Sequence, residues 1–195
     1  MNWLGDHDQE WLPGLDEGAS HRVLITTADR RVAVDEDGAP LFISLNSPLI
    51  SDQEPCLAGT LNGLTYYGVR APEMARLSYE PLRPVLIQLN SEDFIPVNAV
   101  MQVLDFFEEH RFCGRCGNQM SASKSDRGRY CEPCGLTQYP RISPCVIVLI
   151  TRGDEILLAR APRFVDGMYS TLAGFVEAGE SAEHACHREI GEEVG

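Results

Sequence analysis

The stretch Gly174–Gly195, GFVEAGESAEHACHREIGEEVG, decides how this chain is read. Its form is Gly-x5-Glu-x7-Arg-Glu-apolar-x-Glu-Glu-x-Gly, filled by Gly174, Glu180, Arg188, Glu189, Ile190, Glu192, Glu193 and Gly195. Ser181 suits a helix N-cap, and Glu183 places negative charge in the first turn, where the helix dipole favours it. From Ala182 the pattern is helical, with Ala182, Cys186, Ile190 and Val194 as an apolar stripe at i+4 spacing. Gly195 suits the left-handed residue that closes a helix. Glu189, Glu192 and Glu193 stand at i, i+3 and i+4, so their carboxylates share one face and repel. A hard divalent cation, Mg²⁺ or Mn²⁺, relieves that repulsion and is commonly shared with substrate phosphates. The plainer reading is a solvated acidic helix face. Eight specified positions at fixed offsets weigh against it.

Length and composition bound the rest. The chain has 195 residues, 44% hydrophobic and 23% charged, enough apolar content for a packed core. A net charge of −13 argues against a general electrostatic grip on nucleic acid or anionic membrane, though not against one phosphate-bearing ligand held through metal. No apolar run approaches the ~18 residues of a membrane span. The N-terminus, MNWLGDHDQEWLPG, lacks the basic-then-apolar order of a secretory signal. The expectation is a cytoplasmic, reducing setting, in which the seven cysteines are thiols or metal ligands before they are disulfides.

Residues 1–95 read as a mixed α/β domain richer in strand than helix. Strands are predicted at His21–Thr27, Arg31–Asp35, Leu41–Leu45, Leu64–Val69 and Val85–Leu89. His7 and His21 are isolated, and Trp3, Trp11, Tyr66 and Tyr67 read as packing residues rather than a ligand cage. Residues 96–110, PVNAVMQVLDFFEEH, read as a linking helix with Pro96 in its first turn and Val97, Val100, Met101, Leu104 and Phe107 on one face.

Residues 111–140 form a separate module. Cys113-x2-Cys116 and Cys131-x2-Cys134 are two knuckles, each followed by a glycine, Gly117 and Gly135. Four thiolates brought together this way suit tetrahedral Zn²⁺ in a structural site, one ion per chain. A rubredoxin-like iron site, a redox pair and two disulfides share the same residues. The short intervening loop and a reducing setting favour zinc. A module this small depends on its metal for folding. Cys56, Cys145 and Cys186 read as small buried apolar residues. Beyond the module, residues 141–195 open with Cys145–Ile150, CVIVLI, a continuous apolar run that suits a buried strand, and a second strand is predicted at Ile156–Ala159.

Gly174–Gly195 resembles the Nudix box, and the order of ribbon, YPRISPCVIVLI and AGFVEAGE resembles the NADH pyrophosphatase, or NAD-capped RNA hydrolase, branch of the Nudix hydrolases from Phe112 onward. The resemblance implies an α/β (α+β) architecture: an N-terminal mixed α/β domain, a zinc ribbon, and the first part of a Nudix α/β/α sandwich. It implies hydrolysis of the NAD(H) pyrophosphate to nicotinamide mononucleotide and AMP, and removal of the NAD cap from RNA. Mg²⁺ or Mn²⁺ is implied at Glu189 and Glu193 and at the backbone of Ala173, with Glu192 as an additional ligand or base, and these three glutamates are the implied catalytic residues. Substrate contacts are implied at Asp126 and Tyr139, with nicotinamide stacking on Phe175, and a homodimer is implied. Other nucleoside diphosphate derivatives, such as ADP-ribose or a dinucleoside polyphosphate, are the alternative substrates. A non-catalytic zinc-ribbon binding or dimerisation module is the alternative class. The family's box closes on an apolar residue after the position of Gly195 and is followed by a Ser-Gln-Pro-Trp-type motif and a later metal-binding Glu. With these outside the sequence, the expectation is a chain inert by itself, with Glu189–Glu193 mobile near the helix end.

Overall fold

The computed structural model describes residues 20–123 and 126–195. The readings of His7, Trp3 and Trp11 lie outside them. Two compact units divide at Pro140/Arg141, and each is described by itself.

The first unit is built on a mixed sheet of six strands: β1 (Ser20–Thr26), β2 (Arg31–Val34), β3 (Phe42–Ile43), β4 (Cys56–Leu61), β5 (Leu64–Arg70) and β6 (Ser78–Pro81). The order is β4-β5-β1-β2-β6, with β3 also on β1, and only β1 and β5 run parallel, from Ser20↔Leu64 to Thr26↔Arg70. Alternate residues of β1 feed two cores, as the period of two in a strand requires. Leu24 packs with Val32, Tyr66, Val100 and Leu104 on one face, and Val23 and Ile25 pack with Ala33, Val69 and Tyr79 on the other. Each such fully buried aliphatic side chain stabilises the fold by roughly 1.5–3 kcal/mol. Tyr66 is buried and meets Phe42 edge-on, at 5.4 Å between ring centroids.

Two helices follow, α1 (Leu82–Gln88) and α2 (Ser91–Glu109). The α1 helix corrects the strand expected at Val85–Leu89. A short apolar run cannot by itself distinguish helix from strand, and Pro84, just before this one, falls in the first turn of α1, where its missing N–H costs no intrahelical bond. Leu82 and Val85, three apart, are the residues α1 buries. The α2 helix also begins earlier than expected. Asn90 caps it by accepting from the Asp93 N–H at 2.9 Å, Glu92 and Asp93 occupy the first turn, and Pro96 sits inside the helix rather than at its start. Val97, Val100, Met101 and Leu104 are buried as expected, against β4 and β5. The contact is close at Gly68: a Cβ there would lie 2.5 Å from Val100 Cγ1 and 2.8 Å from Leu104 Cδ1. Arg70, on β5, ties the sheet to α2 through Asp105 at 2.7 Å and Glu108 at 3.3 Å.

The remainder of this unit is a small three-stranded sheet, β7 (Ser121–Ala122), β8 (Arg129–Tyr130) and β9 (Thr137–Gln138). Its core is Cys113, Met120 and Cys131, with Cys134 and Leu136 beside them. So little apolar burial cannot hold a fold unaided.

The second unit pairs β10 (Cys145–Val148) with β13 (Leu172–Phe175), antiparallel, and β11 (Ile150–Arg152) with β12 (Glu155–Leu157) in a hairpin. The final helix, α3 (Ala182–Val194), packs on β13 and β10. Val146, Leu172 and Ala185 are its buried hydrophobics. The strand expected to be buried is therefore only half-buried: Val146 points inward, while Cys145 and Ile147 are exposed, because α3 covers one face only. Cys145 is thus not a buried apolar residue, and Cys56 and Cys186 are only half-buried. The stripe of α3 is rotated from the expected one. Ala185 is its buried residue, Cys186 and Ile190 are half-buried, and Ala182 and Val194 are exposed. Among the described residues no helix is long and apolar enough to cross a membrane.

Candidate functional site

Two clusters carry chemistry, one in each unit. In the first, Cys113, Cys116, Cys131 and Cys134 bring their sulfurs within 4.8 Å of one another. Cys113 Sγ is 3.5 Å from Cys134 Sγ, and Cys116 Sγ is 3.4 Å from Cys131 Sγ. A Zn–S distance of about 2.3 Å in a tetrahedron requires sulfurs about 3.8 Å apart, so the set fits zinc with all four positions filled by protein. The two knuckles are the same turn made twice. Gly117 N–H donates to the Cys113 carbonyl and Gly135 N–H to the Cys131 carbonyl, both at 2.8 Å, with the glycines at φ 74° and 69°. Hydrogen bonds from Asn118 hold the Cys116 thiol down at about 6. Burial pushes Cys131 up to about 12. A cation that shares charge over all four sulfurs resolves this opposition.

Near the ribbon, Asp126 accepts from the Gly128 N–H at 2.8 Å and from the Tyr139 hydroxyl at 3.2 Å. The Gly128 bond leads in holding its carboxyl below the usual range. Asp126 and Tyr139 are thus one hydrogen-bonded pair, exposed and available to a ligand. Phe175, the third expected substrate contact, is exposed on β13 in the other unit, opposite Cys145.

In the second unit, the cluster is organised by Arg188. Its Nε donates to Glu180 Oε1 at 2.7 Å and its Nη2 to Glu180 Oε2 at 3.0 Å, a bidentate pair. Nη2 also donates to the Phe175 carbonyl at 2.8 Å, while Nη1 reaches Glu189 Oε1 at 2.8 Å and Glu192 Oε2 at 3.2 Å. Glu180 in turn accepts from the Glu177 N–H at 3.0 Å. The Arg188 bonds hold Glu180 at about 2, and those same bonds raise Arg188 above its ordinary value. Helix α3 starts where expected, with Ser181 Oγ accepting from the His184 N–H at 3.3 Å, and Gly195 at φ 88° closes it. Glu189 is largely covered, lying against the backbone of Gly174, whereas Glu192 and Glu193 are exposed.

Helical spacing does bring Glu189 and Glu192 to one guanidinium. Among the described residues, however, the four cysteines form the one group of metal-ligating side chains gathered within 4.8 Å, and the glutamates do not converge to that degree. Their oxygens are the donors that Mg²⁺ and Mn²⁺ prefer, so the donor set fits such an ion. Sequence reasoning gave no role to Glu180 and Arg188. Their fixed offset within the motif was the available signal.

Residues 141–195 match the NUDIX domain, and residues 108–139 match the NADH pyrophosphatase zinc ribbon domain. The chain is similar to the NAD-capped RNA hydrolase NudC of Pseudomonas aeruginosa, 50% identical over 123 residues, which is 63% of this chain and 44% of that protein. The NAD-capped RNA hydrolase NudC of Pseudomonas putida is 50% identical over 124 residues, 64% of this chain and 45% of that protein. That of Stutzerimonas stutzeri is 50% identical over 117 residues, 60% and 42%. The chain spans less than half the length of the curated relatives it matches.

Proposed function

We propose, starting from a chain of the Nudix family that joins an NADH pyrophosphatase zinc ribbon domain to a Nudix domain, that the whole protein hydrolyses the pyrophosphate of NAD(H) to nicotinamide mononucleotide and AMP and removes the NAD cap from RNA. The observation that carries this reading is the Arg188 hub, which positions Glu180, Glu189 and Glu192 at the join of β13 and α3. Glu189 and Glu193, with Glu192 and the backbone of Ala173, would hold a divalent cation. Mg²⁺ or Mn²⁺ there supplies Lewis acidity and neutralises charge on a pyrophosphate. Arg188 keeps Glu180 ionised and fixes the Phe175 carbonyl, so the loop before α3 is set before substrate arrives. Phe175 offers an aromatic face for nicotinamide, and Asp126 and Tyr139, in the first unit, offer polar groups for a substrate contact. The ribbon zinc holds fold rather than substrate, since protein fills its coordination. Free thiols and a four-thiol zinc site accord with a cytoplasmic setting, and a homodimer belongs to the same reading.

The 195-residue chain alone is proposed to be a weak catalyst. Ile147, Leu149, Ile156 and Phe175 are exposed in its Nudix unit, at 69, 54, 55 and 65%, so the strands of this unit are thinly packed. Helical order depends mainly on such packing. Adding NADH and Mn²⁺ to the chain and to the whole protein tests this by comparing rates. Equal rates would overturn it.

A further inference from the structure

A cavity of about 700 Å³ opens within the first unit, between β4, α2 and the ribbon strands, and its walls carry four arginines, Arg70, Arg111, Arg127 and Arg129. This is unexpected in a chain of net charge −13. Three carboxylates, Glu54, Glu108 and Asp126, line it as well. Two of these are already engaged: Glu108 with Arg70, and Asp126 with Gly128 and Tyr139. Arg70 is further matched by Asp105.

The other three arginines have no carboxylate within ion-pair distance among the described residues. Arg127 donates to the Ala58 carbonyl at 3.2 Å. Arg129 lies over the Phe107 ring at 4.7 Å and donates to the Met120 and Phe107 carbonyls at 2.9 and 2.7 Å. Its Nε is buried with no hydrogen-bond partner among the described residues. Arg111 stands close enough to oppose its charge. Carbonyls orient a guanidinium but do not neutralise it, and a covered cation without a counter-charge is costly. Apolar side chains among the lining, Leu57, Leu104 and Phe107, keep water from part of the wall and strengthen its pull on an anion. The planar fork of Arg matches phosphate oxygens, and the volume is that of a small-ligand site.

We propose that this cavity is a second binding site, which takes the phosphate group of a nucleotide between Arg111, Arg127 and Arg129. It lies wholly in the first unit and shares Asp126 with the contacts proposed for the dinucleotide, but its three arginines have no part in the hydrolase reading. Free mononucleotides and the backbone of single-stranded RNA both present this phosphate chemistry.

The test is calorimetric titration of the zinc-loaded chain with AMP in buffer without added divalent metal, where the acidic Nudix site has no cation with which to hold phosphate. AMP binds, and Arg111→Gln with Arg127→Gln weakens it about tenfold or more, while zinc content and melting temperature stay at wild-type values. A 5′-hydroxyl oligoadenylate supplies the second arm. Displacement of AMP by the oligomer, lost in the same double variant, identifies the RNA backbone as the source. Binding of AMP that the oligomer does not displace identifies the mononucleotide. Should the double variant fold poorly, Arg111→Glu, at an exposed position, carries the same comparison. Absence of binding by both probes, or binding unchanged by these substitutions, overturns the site. No turnover is measured, so either outcome leaves the hydrolase reading where it stood.

Discussion

The carboxylate of Glu189 lies directly against the bare backbone of Gly174: a Cβ built on that glycine would stand 1.7 Å from the Glu189 carboxyl carbon. Strand β13 and helix α3 thus meet where Glu189, the first of the glutamates proposed to hold metal, needs the space that only glycine leaves. Gly174→Ala must push Glu189 aside. The expected result in the whole protein is a fall in kcat/KM for NADH of about 100-fold, since a displacement of about 1 Å costs that much. Ribbon zinc content should not change, because the ribbon lies outside this unit. Full activity in the variant would remove Glu189 from the site.

Glu180 provides a pH test. Its carboxyl is held at about 2 in the fold by Arg188, against an unfolded value of about 4.3. A depressed folded value means the ion pair supports the fold fully above the unfolded value and is lost as pH falls from about 4.3 towards 2. Titration of the Glu180 carboxyl carbon by NMR should give a midpoint near 2, returning above 4 in Arg188→Met. An ordinary midpoint in the unsubstituted chain would show that the bidentate pair does not form in solution.

Much of the second unit was legible because its signals are local. Ser181, Glu183 and Gly195 cap α3 as their chemistry dictates, and in the first unit the CxxC knuckles, equally local, gather four sulfurs. The misses came where tertiary context decides. Val85–Leu89 is a short apolar run without a usable period, and its neighbours made it helix. The stripe on α3 turned towards Ala185 because Glu189, not an apolar residue, fills the gap at Gly174. Strand β4 was missed although its signal was present. Asn62-Gly63, at φ 51° and 70°, makes the tight turn into β5 that this dipeptide favours. Arg129 has no sequence pattern at all. Its partners, Phe107 and Met120, lie 22 and 9 residues away and meet it only in the folded unit.

Gly68→Ala tests the packing of α2 on the sheet. The added methyl would meet Val100 Cγ1 at 2.5 Å and Leu104 at 2.8 Å, inside contact distance for both. Overpacking of this kind costs on the order of 1–3 kcal/mol. Urea unfolding followed through the first unit should show the lower midpoint. An unchanged midpoint would mean α2 is free to shift.

Zinc removal should act on the first unit. Protein purified without added metal should contain one zinc per chain, and Cys131→Ser should lose it and unfold the ribbon, because the module has only Cys113, Met120 and Cys131 for a core. Elemental analysis with far-UV circular dichroism reads both quantities. A wild-type chain that is folded, metal-free and indifferent to chelators would exclude the site.

The most direct test is the identity of the products. NADH incubated with the whole protein and Mn²⁺, then separated by liquid chromatography, should give AMP and reduced nicotinamide mononucleotide in equal amounts, and Glu193→Gln should abolish both. Recovery of ADP-ribose and nicotinamide would instead mean glycosidic cleavage and contradict a pyrophosphatase centred on Arg188 and its glutamates.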